Sequence, residues 1–574
     1  MAFMANAIPN FPKPENSPFV SFVKGTKEKT ALEKEIAYLR NPMLKPPTLP
    51  LWINGPVTAG NTAVCAVPHD LNRILGYYCK AEERHVREAI DTVLAARDQW
   101  MQMSWFWRLN IFRKAAELLE KKYLYEVVAA VMEDYSKNPF EAFIDVQELI
   151  DFWRFNAWYA YELYKNQPDS DSGSFNMLDY RPLEGFVFAI PPNNFVAING
   201  NLPTAPLIMG NVVVVKPSSD VVYSFHLVLK ILLEAGLPKD VMAVIQGDSG
   251  LIGNIVLNHY MLAGVHFTGG TDTFKEIRWT IAQNEYKGFY KNLVVRTVGE
   301  TGGKDPIIVY DDHDPVQTAA AIVVGGFGAQ GRKCSATSRV YMTPEMWERV
   351  KPELYKFMDQ IRAGDVVEFK NYMGAIINER EFTKIISYIE KARYAEKYDK
   401  THFEVPVQKH GVEEVYGGEY KGMQFVSNNG WFIRPTVIVT RHYKYEAVYE
   451  TMVEEIFGPV VTICLVDKED FKNGEVLKIC DKTSDYALTG AIQTNDMYQF
   501  CEALEGMKDN CGNIYDWKTT GAMVNRQPFS GARMSGTNSK VGWWLNLLNW
   551  TSPRTIGMTF VKPSHFTPAY LDRE

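Results

Sequence analysis

The stretch Phe186-Val187-Phe188-Ala189-Ile190 is followed, after a break rich in Pro and Asn, by a second short apolar run, Val212-Val213-Val214-Val215. Such short runs without polar alternation are typical of strands that are buried on both faces. Further apolar runs and helical patterns alternate on either side, with strands predicted near 241–245 and 265–267 and helices over 225–235, 251–259 and 273–283. This alternation predicts an α/β fold with a parallel, doubly wound sheet, which binds ligands beyond the carboxyl ends of its strands.

The rest of the chain is predicted to contain a second α/β region, an N-terminal arm and a segment outside the core. A second alternating region follows Glu300, with strands predicted near 306–310, 338–341 and 460–466 and helices near 315–328 and 346–361. Residues 1–60 are rich in Pro and polar residues and are predicted to form an extended arm. The Ser- and Asp-rich segment 166–184 is predicted to leave the core.

Composition limits the classes of protein to which the chain can belong. Of its 574 residues, 46% are hydrophobic and 22% are charged, which is typical of a globular protein. A net charge of −7 argues against nucleic acid or an anionic membrane as a partner. No apolar run is long enough to insert into a membrane and no secretory signal is visible, so we expect a soluble intracellular protein.

The 7 cysteines and 10 histidines show no spacing that is typical of a metal site. The cysteine count is odd and no CxxC occurs, so a disulfide framework is not expected and a reducing compartment fits best. The histidines form no HExxH pattern. We therefore predict that the protein binds no metal.

Cys334 lies in the segment Gln330-Gly331-Arg332-Lys333-Cys334-Ser335-Ala336, among small residues and two cations. Nearby positive charge lowers a thiol pKa and favours the reactive thiolate, although a cysteine taken alone is more often a small core residue. Asn194, in a turn after an apolar run, could hold an oxyanion, and Glu300, before a glycine pair, could act as a base. Nucleophile, oxyanion donor and base are the groups that acyl transfer through a thioester requires.

Three segments are candidates for binding a nucleotide. Residues 326–331 match G-x-G-x-x-G, but they follow a helical pattern rather than a strand, so we interpret them as small residues at the start of the nucleophile turn. Lys216 comes directly after an apolar run. It either binds a ribose or lies on the surface, and its position in the sequence favours neither interpretation. The segment Thr268-Gly269-Gly270-Thr271 opens a helix whose free amides suit a pyrophosphate.

Four motifs, in this order along the chain, resemble those of the aldehyde dehydrogenase superfamily. They are Pro192-Asn193-Asn194-Phe195, Glu300-Thr301-Gly302-Gly303-Lys304, Lys333-Cys334-Ser335 and Glu454-Glu455-Ile456-Phe457-Gly458-Pro459. The resemblance runs from about residue 50 to the C-terminus. Within the superfamily, Ser335 after the cysteine, together with Thr520-Gly521-Ala522 and Gln527-Pro528-Phe529, resembles the Δ1-pyrroline-5-carboxylate dehydrogenases, which oxidise L-glutamate γ-semialdehyde to L-glutamate.

The resemblance implies an aldehyde dehydrogenase fold with a Rossmann-like NAD domain, an α/β catalytic domain and a β-flap used for oligomerisation. The implied divisions are an N-terminal arm and the first part of the NAD-binding domain (1–165), an oligomerisation flap (166–184), the rest of the NAD-binding domain (185–299), the catalytic domain (300–534) and a C-terminal return and oligomerisation tail (535–574). It also implies a homodimer or a higher homo-oligomer, in the mitochondrial matrix if the chain is eukaryotic.

The resemblance implies a role for each motif residue. Cys334 is the nucleophile, Glu300 the general base and Asn194 the oxyanion donor. NAD is the implied cofactor, bound by Lys216, Gly269, Gly270, Thr271, Thr273, Glu455 and Phe457. The implied substrate residues are Ser335, Gly521, Ala522, Phe195, Phe529, Glu148 and Lys333. Of these, Glu148 is almost as well explained as a solvated carboxylate on a helix.

The chain also departs from the family pattern. Asn193 replaces the usual aromatic residue and Arg332 the usual Gln, while the remaining departures are Val215 for Trp, Gly270 for Ser, Ser530 for Gly, the extra cation Arg526 and a shortened segment 513–517. Two alternatives to glutamate-semialdehyde oxidation stay open. The chain could oxidise another semialdehyde that carries a carboxylate, or it could be a divergent member with a mainly structural role.

Overall fold

The computed structural model of the protein describes residues 9–401, 411–420, 429–442, 449–516, 519–522, 526–568 and 570–571. Within the shortened segment 513–517, Trp517 lies outside these described residues. Among the described residues, no helix combines the length and the apolar content needed to cross a membrane.

The first sheet has seven strands, and five of them are parallel. In spatial order the strands are Arg296–Glu300, Leu262–Thr268, Phe186–Ile190, Val212–Val215, Met242–Val244, Leu51–Trp52 and Pro56–Val57. The first five are the parallel ones, and Leu51–Trp52 joins them in the antiparallel direction. The central strands are fully buried, as their unbroken apolar sequences predict, so the predicted parallel sheet is confirmed.

Helices cover both faces of this sheet. They are Glu83–Gln102, Trp105–Leu118, Leu124–Asp134, Pro139–Lys165, Val196–Ile208, Val222–Ala235, Ser249–Leu257 and Thr271–Tyr286, with a π-helical turn at Leu119–Tyr123 and a 3₁₀ turn at Ser219–Val221. The predicted helices over 225–235, 251–259 and 273–283 fall within or across three of these. Together with the sheet they enclose the largest apolar core among the described residues.

A second seven-stranded sheet carries the other half of the site. Its strands, in spatial order, are Val412–Gly417, Thr436–Arg441, Val460–Leu465, Thr337–Met342, Asp305–Val309, Thr489–Gln493 and Asn513–Asp516, all parallel to their neighbours except the first. Its helices are Pro315–Phe327, Pro344–Gln360, Glu379–Thr401, Glu450–Val453, Lys468–Lys472, Glu475–Thr483 and Met497–Gly506. The predicted strands and helices of this region are all present.

Three smaller sheets complete the described fold. Thr48–Leu49, Asp70–Cys79 and Thr62–Val67 form one sheet, and Tyr486–Ala487 pairs with Ala532–Arg533. Ser174–Pro182 pairs with the C-terminal strand Thr551–Thr559 along the full length of both strands. A short helix, Trp544–Leu548, precedes that last strand. The segment 166–184 therefore contains an exposed ribbon, and its role in subunit pairing stays a prediction.

The prediction of an extended arm over residues 1–60 is wrong for its middle part. Residues Lys27–Leu39 form a helix, in which Thr26 caps the N-terminus by accepting a hydrogen bond from the Lys29 amide at 3.3 Å. Leu32 and Ile36, four residues apart on one face, are buried. These two residues form a short apolar stripe in a sequence that is otherwise polar. The helix therefore forms because it packs against the helix Leu124–Asp134.

Candidate active site

The predicted nucleophile lies in a strained turn between a helix and a strand. After Pro315–Phe327 ends, Ala329 and Gln330 adopt left-handed backbone conformations, with φ of 49° and 58°. Non-glycine residues adopt this conformation at an energetic cost. The buried Gln330 side chain offsets it by donating from Nε2 to the Ser136 carbonyl at 2.6 Å. Sequence reasoning missed both Gln330 and Ser136, because this contact joins segments that are distant in the chain.

Cys334 follows this turn and is partly exposed to the cleft. Burial raises the pKa of its thiol well above the usual value, and the charges of Asp305, Glu455 and Glu300 raise it further. The expectation that neighbouring cations lower this pKa is therefore wrong. The Lys333 and Arg332 side chains point to other partners, so the resting group is a thiol that needs a base when it attacks.

The backbone packs closely around the nucleophile. A Cβ added to Gly303 would lie 2.1 Å from the Cys334 carbonyl oxygen, so only glycine fits at that position. A Cβ on Gly302 would lie 2.3 Å from Glu455 Oε2. The glycine pair after Glu300 therefore lets the general-base motif approach both the nucleophile turn and the Glu455 carboxylate.

Asn194 lies next to the nucleophile turn. It follows the strand Phe186–Ile190, and its Nδ2 donates to the Arg332 carbonyl oxygen at 3.2 Å. The side chain is buried and lines the same cleft as Cys334. An amide donor held at this place is suited to an oxyanion that forms on an acyl group attached to Cys334.

Glu300 ends the strand Arg296–Glu300 and is buried. Ser530 donates its hydroxyl to Glu300 Oε1, and the Gly531 amide donates to Oε2 at 3.3 Å. Burial raises the pKa of the Glu300 carboxyl to about 8, while these two hydrogen bonds lower it. In this conformation Ser530 and Gly531 together hold both carboxylate oxygens of Glu300.

One cleft joins the nucleophile to the predicted cofactor residues. It is lined by Cys334, Asn194, Lys216, Gly269, Gly270, Thr273, Glu455 and Phe457, among others. Thr271 begins the helix Thr271–Tyr286, and its hydroxyl lies 3.1 Å from that of Tyr486. Among the described residues no side chain caps this helix, so its first amides are available to an anion, as a dinucleotide pyrophosphate requires.

Lys216 and Glu455 stand where hydroxyl groups of a ribose could bind. Lys216 follows the strand Val212–Val215 and is buried, which lowers the pKa of its ammonium group. Glu455 Oε1 accepts a hydrogen bond from the Gly303 amide at 3.1 Å. Because Lys216 lines the cleft, the alternative of a surface lysine is wrong.

Two of the predicted substrate residues, Lys333 and Phe195, contact residues around the start of the helix Pro139–Lys165. Lys333 Nζ lies 3.0 Å from Glu141 Oε2, and Lys137 Nζ lies 3.6 Å from the centre of the Phe195 ring. Burial raises the pKa of Glu148 to about 8. Sequence reasoning missed Lys137 and Glu141, which flank the start of the helix Pro139–Lys165. Their closeness to Lys333 and Phe195 appears only in the folded chain.

The segment 519–522 lies beside the strand that follows the nucleophile. Thr520 Oγ1 is 2.8 Å from Thr337 Oγ1, and Tyr515 donates its hydroxyl to the Gly521 carbonyl at 2.9 Å. Gly521 has a φ of 143°, a conformation that favours glycine. Ala522 is the last described residue of this segment. The segment 519–522 is thus anchored to the strand Thr337–Met342, which follows Cys334.

Ser335 and Phe529 complete the predicted substrate set. Ser335 is buried directly after the nucleophile. Phe529 is half-buried and donates its backbone amide to the Val541 carbonyl at 3.0 Å. Backbone hydrogen bonds therefore hold both Gly521 and Phe529.

Comparison with known proteins agrees with this geometry. The model of the aldehyde dehydrogenase family matches residues 58–556. The chain belongs to the aldehyde dehydrogenase family. Its fold, two α/β halves with the nucleophile turn between them, is the aldehyde dehydrogenase fold that the four sequence motifs indicated.

Individual aldehyde dehydrogenases show how far the similarity extends. The chain is 38% identical over 566 residues to the mitochondrial Δ1-pyrroline-5-carboxylate dehydrogenase of Dictyostelium discoideum, covering 98% of this chain and 96% of that protein. It is 34% identical over 563 residues to the human mitochondrial protein of the same name, covering 97% and 94%. The Mycobacterium tuberculosis Δ-pyrroline-5-carboxylate dehydrogenase bound with NAD superposes with a TM-score of 0.89 at 36% identity, covering 99% of this chain and 100% of that one.

Proposed function

We propose that this aldehyde dehydrogenase oxidises L-glutamate γ-semialdehyde, formed from Δ1-pyrroline-5-carboxylate, to L-glutamate with NAD⁺ in proline catabolism. The observation that carries the proposal is the cleft that joins Cys334 and Asn194 to a free helix N-terminus at Gly269 and Gly270. The names of the Dictyostelium and human relatives support the choice of substrate. The similar mycobacterial structure, which has NAD bound, supports NAD as the cofactor.

The chain's own residues account for acylation. The cyclic imine opens by hydrolysis to the free aldehyde, which a thiolate can attack. As Cys334 Sγ bonds to the aldehyde carbon, its proton leaves to a base, and the oxygen becomes an oxyanion beside Asn194 Nδ2 and the Cys334 amide. Bound NAD⁺ supplies the hydride acceptor. The oxyanion then collapses as the carbon–hydrogen bond breaks and the hydride departs, which leaves a thioester on Cys334.

The same residues account for deacylation. Glu300, as a carboxylate, takes a proton from water, and the hydroxide attacks the thioester carbon. The oxyanion forms again beside Asn194, and Cys334 leaves as a thiolate with glutamate as the product. Because Ser530 holds Glu300 at rest, rotation of this side chain towards Cys334 is part of the proposed cycle.

The substrate carries a carboxylate and an ammonium group beyond its aldehyde. We assign the carboxylate to the Ser335 hydroxyl and to the amides of Gly521 and Ala522, because charge-assisted hydrogen bonds of this kind are strong. Phe195 and Phe529 would enclose the aliphatic part. Glu148 and Lys333 would interact with the charged end, with Glu141 as the partner that holds Lys333 in place.

The relatives and the exposed ribbon support proposals for the assembly and the cellular location of the protein. We propose a homodimer, or a higher homo-oligomer, that pairs through Ser174–Pro182 and Thr551–Thr559, because both strands expose apolar side chains such as Phe175 and Met558. In a eukaryotic cell the proposed compartment is the mitochondrial matrix, which the names of the Dictyostelium and human relatives indicate for those proteins.

A substrate panel tests the proposal. We expect rapid reduction of NAD⁺ with Δ1-pyrroline-5-carboxylate, slower reduction with succinate semialdehyde, which lacks the ammonium group, and the slowest with propanal. Ser335→Ala is expected to raise KM for the first two substrates by about 10-fold and to leave propanal unchanged, because propanal has no carboxylate. A preference for succinate semialdehyde would favour another carboxylate-bearing substrate. Failure to bind or reduce NAD⁺ would favour a structural role.

A further inference from the structure

Arg332 is a buried cation that lines the cofactor cleft. Its Nη2 donates to Asn193 Oδ1 at 3.0 Å, and its guanidinium carbon lies 4.8 Å from the centre of the Phe457 ring. Asn193 in turn donates from Nδ2 to Asp220 Oδ2 at 2.8 Å. The guanidinium plane is therefore held by a hydrogen bond on one side and an aromatic face on the other.

One arm of this guanidinium has no hydrogen-bond partner. Arg332 is 5% exposed, and its Nη1 is buried without an acceptor among the described residues. The Glu381 Oε2 oxygen lies 3.9 Å from this Nη1, which is beyond hydrogen-bond reach. A buried charged donor without an acceptor is costly, so this arrangement indicates a ligand that supplies one.

The N-terminus of the helix Thr271–Tyr286, in the same cleft, is also suited to an anion. Gly270 caps the helix Thr271–Tyr286 without a side-chain hydrogen bond, which leaves the first amides of this long helix free. A Cβ on Gly270 would meet nothing closer than Thr273 Oγ1 at 4.0 Å, so the space before the helix is open. Amides suited to an anion and the Arg332 guanidinium therefore line one cleft.

We propose that Arg332 binds the bridging phosphates of the dinucleotide cofactor and that Asn193 positions it. This inference rests on the proposed use of NAD⁺ and adds a residue that the family pattern does not supply. Asn193 and Arg332 both depart from that pattern, and they are hydrogen-bonded to each other. A guanidinium is suited to this task because its planar array of donors matches phosphate oxygens.

Calorimetric titration of the resting enzyme tests this role without turnover. Arg332→Gln is expected to weaken the binding of NAD⁺ and of ADP-ribose, which keeps both phosphates, by about 10-fold or more. The binding of adenosine, which lacks both phosphates, is expected to change by less than about 2-fold, and this also reports that the variant is folded. Arg84→Gln, which removes an exposed charge outside the cleft, is the matched control.

The outcomes separate the possible roles of Arg332. Unchanged ADP-ribose binding by Arg332→Gln would overturn the proposal, whether or not NAD⁺ binding falls, because a contact to the nicotinamide half alone would spare ADP-ribose. Asn193→Ala is expected to weaken ADP-ribose binding in the wild-type enzyme but not in the Arg332→Gln background. Equal losses in both backgrounds would contradict the positioning role. If the wild-type enzyme bound neither ligand, the proposed cofactor itself would be wrong.

Discussion

At the scale of single residues, the resting state of Glu300 sets the pH dependence of deacylation. Its pKa is raised to about 8 by burial, so the carboxylate that activates water becomes abundant only as pH rises towards that value. The Ser530 hydroxyl bond lowers this pKa. Removing the hydroxyl in Ser530→Ala should therefore raise the pKa and move the rising limb of the profile to higher pH.

The pH profile of deacylation can be measured without cofactor. After the initial burst of p-nitrophenyl acetate hydrolysis, the steady-state rate reports the rising limb of that profile. Ser530→Thr, which keeps a hydroxyl, is expected to leave the profile closer to that of the wild type. An unchanged or downward-shifted limb in Ser530→Ala would show that the Ser530 contact does not tune the base.

We further expect Asn194→Ala to lower the acylation rate by about 10²–10³-fold, because it removes an oxyanion donor.

The sequence could predict the reacting groups but not the residues that hold them. Cys334, Glu300 and Asn194 stand in motifs whose residue types are required by the chemistry, so local sequence indicated them. Gln330 and Lys137 act through contacts with segments far along the chain, which no local pattern encodes. The pKa of the Cys334 thiol was wrongly predicted for the same reason. Burial raises this pKa, and so do carboxylates from other segments of the chain.

At the scale of elements, Asp151 is one of the residues through which the helix Pro139–Lys165 holds the N-terminal arm. Asp151 accepts hydrogen bonds from Asn16 Nδ2 at 2.7 Å and from the Ser17 amide at 2.9 Å. Asp151→Ala is expected to reduce the free energy of unfolding by about 2 kcal/mol, because buried donors lose their acceptor. It should also make residues 11–18 more sensitive to protease.

Urea unfolding and limited proteolysis measure these two effects. The control is Glu162→Ala on the same helix, which removes an exposed ion pair with Lys165 and should cost less than about 0.5 kcal/mol. An Asp151→Ala variant with wild-type stability and an unchanged digestion pattern would mean that the arm is held by other contacts. Asn16 also accepts a hydrogen bond from Arg526, which connects this arm to the segment that leads to Phe529.

Elements with continuous apolar sequences could be predicted, whereas elements with buried polar groups could not. The strand Thr489–Gln493 was missed because its ends are polar, and the structure hydrogen-bonds Thr489 to Asp305 and Gln493 to Thr318. The helix Val196–Ile208 contains two prolines, which ordinarily argue against a helix. Its first amides bind the Asp145 carboxylate of another helix, a cap that its own sequence does not show.

At the scale of the whole molecule, the two seven-stranded sheets contribute different parts of the site. The first sheet supplies Asn194 and Glu300 near the carboxyl ends of its strands, and Cys334 precedes a strand of the second. Catalysis therefore depends on how the two halves face each other. The order of strands along the chain predicted two α/β regions, but only their packing brings the oxyanion donor and the nucleophile turn into contact.

The exposed ribbon tests the proposed assembly at the same scale. Phe175 pairs with Met558 on the two-stranded sheet, and both side chains are exposed. Phe175→Glu combined with Met558→Glu replaces two exposed apolar side chains of the ribbon with charges, which should prevent subunit pairing. Light scattering after gel filtration is expected to give an oligomer for the wild type and a smaller species for the variant. A monomeric wild type at micromolar concentration would rule out this interface.

The central claim is that an acyl group passes through a thioester on Cys334. Acid quenching of Glu300→Gln, mixed with NAD⁺ and Δ1-pyrroline-5-carboxylate, should trap that thioester, because the variant acylates but cannot activate water. Peptide mass spectrometry is expected to find the γ-glutamyl group on the peptide that contains Cys334, and to find none in Glu300→Gln/Cys334→Ala. An adduct on another residue, or full NAD⁺ reduction by Cys334→Ala alone, would contradict the account.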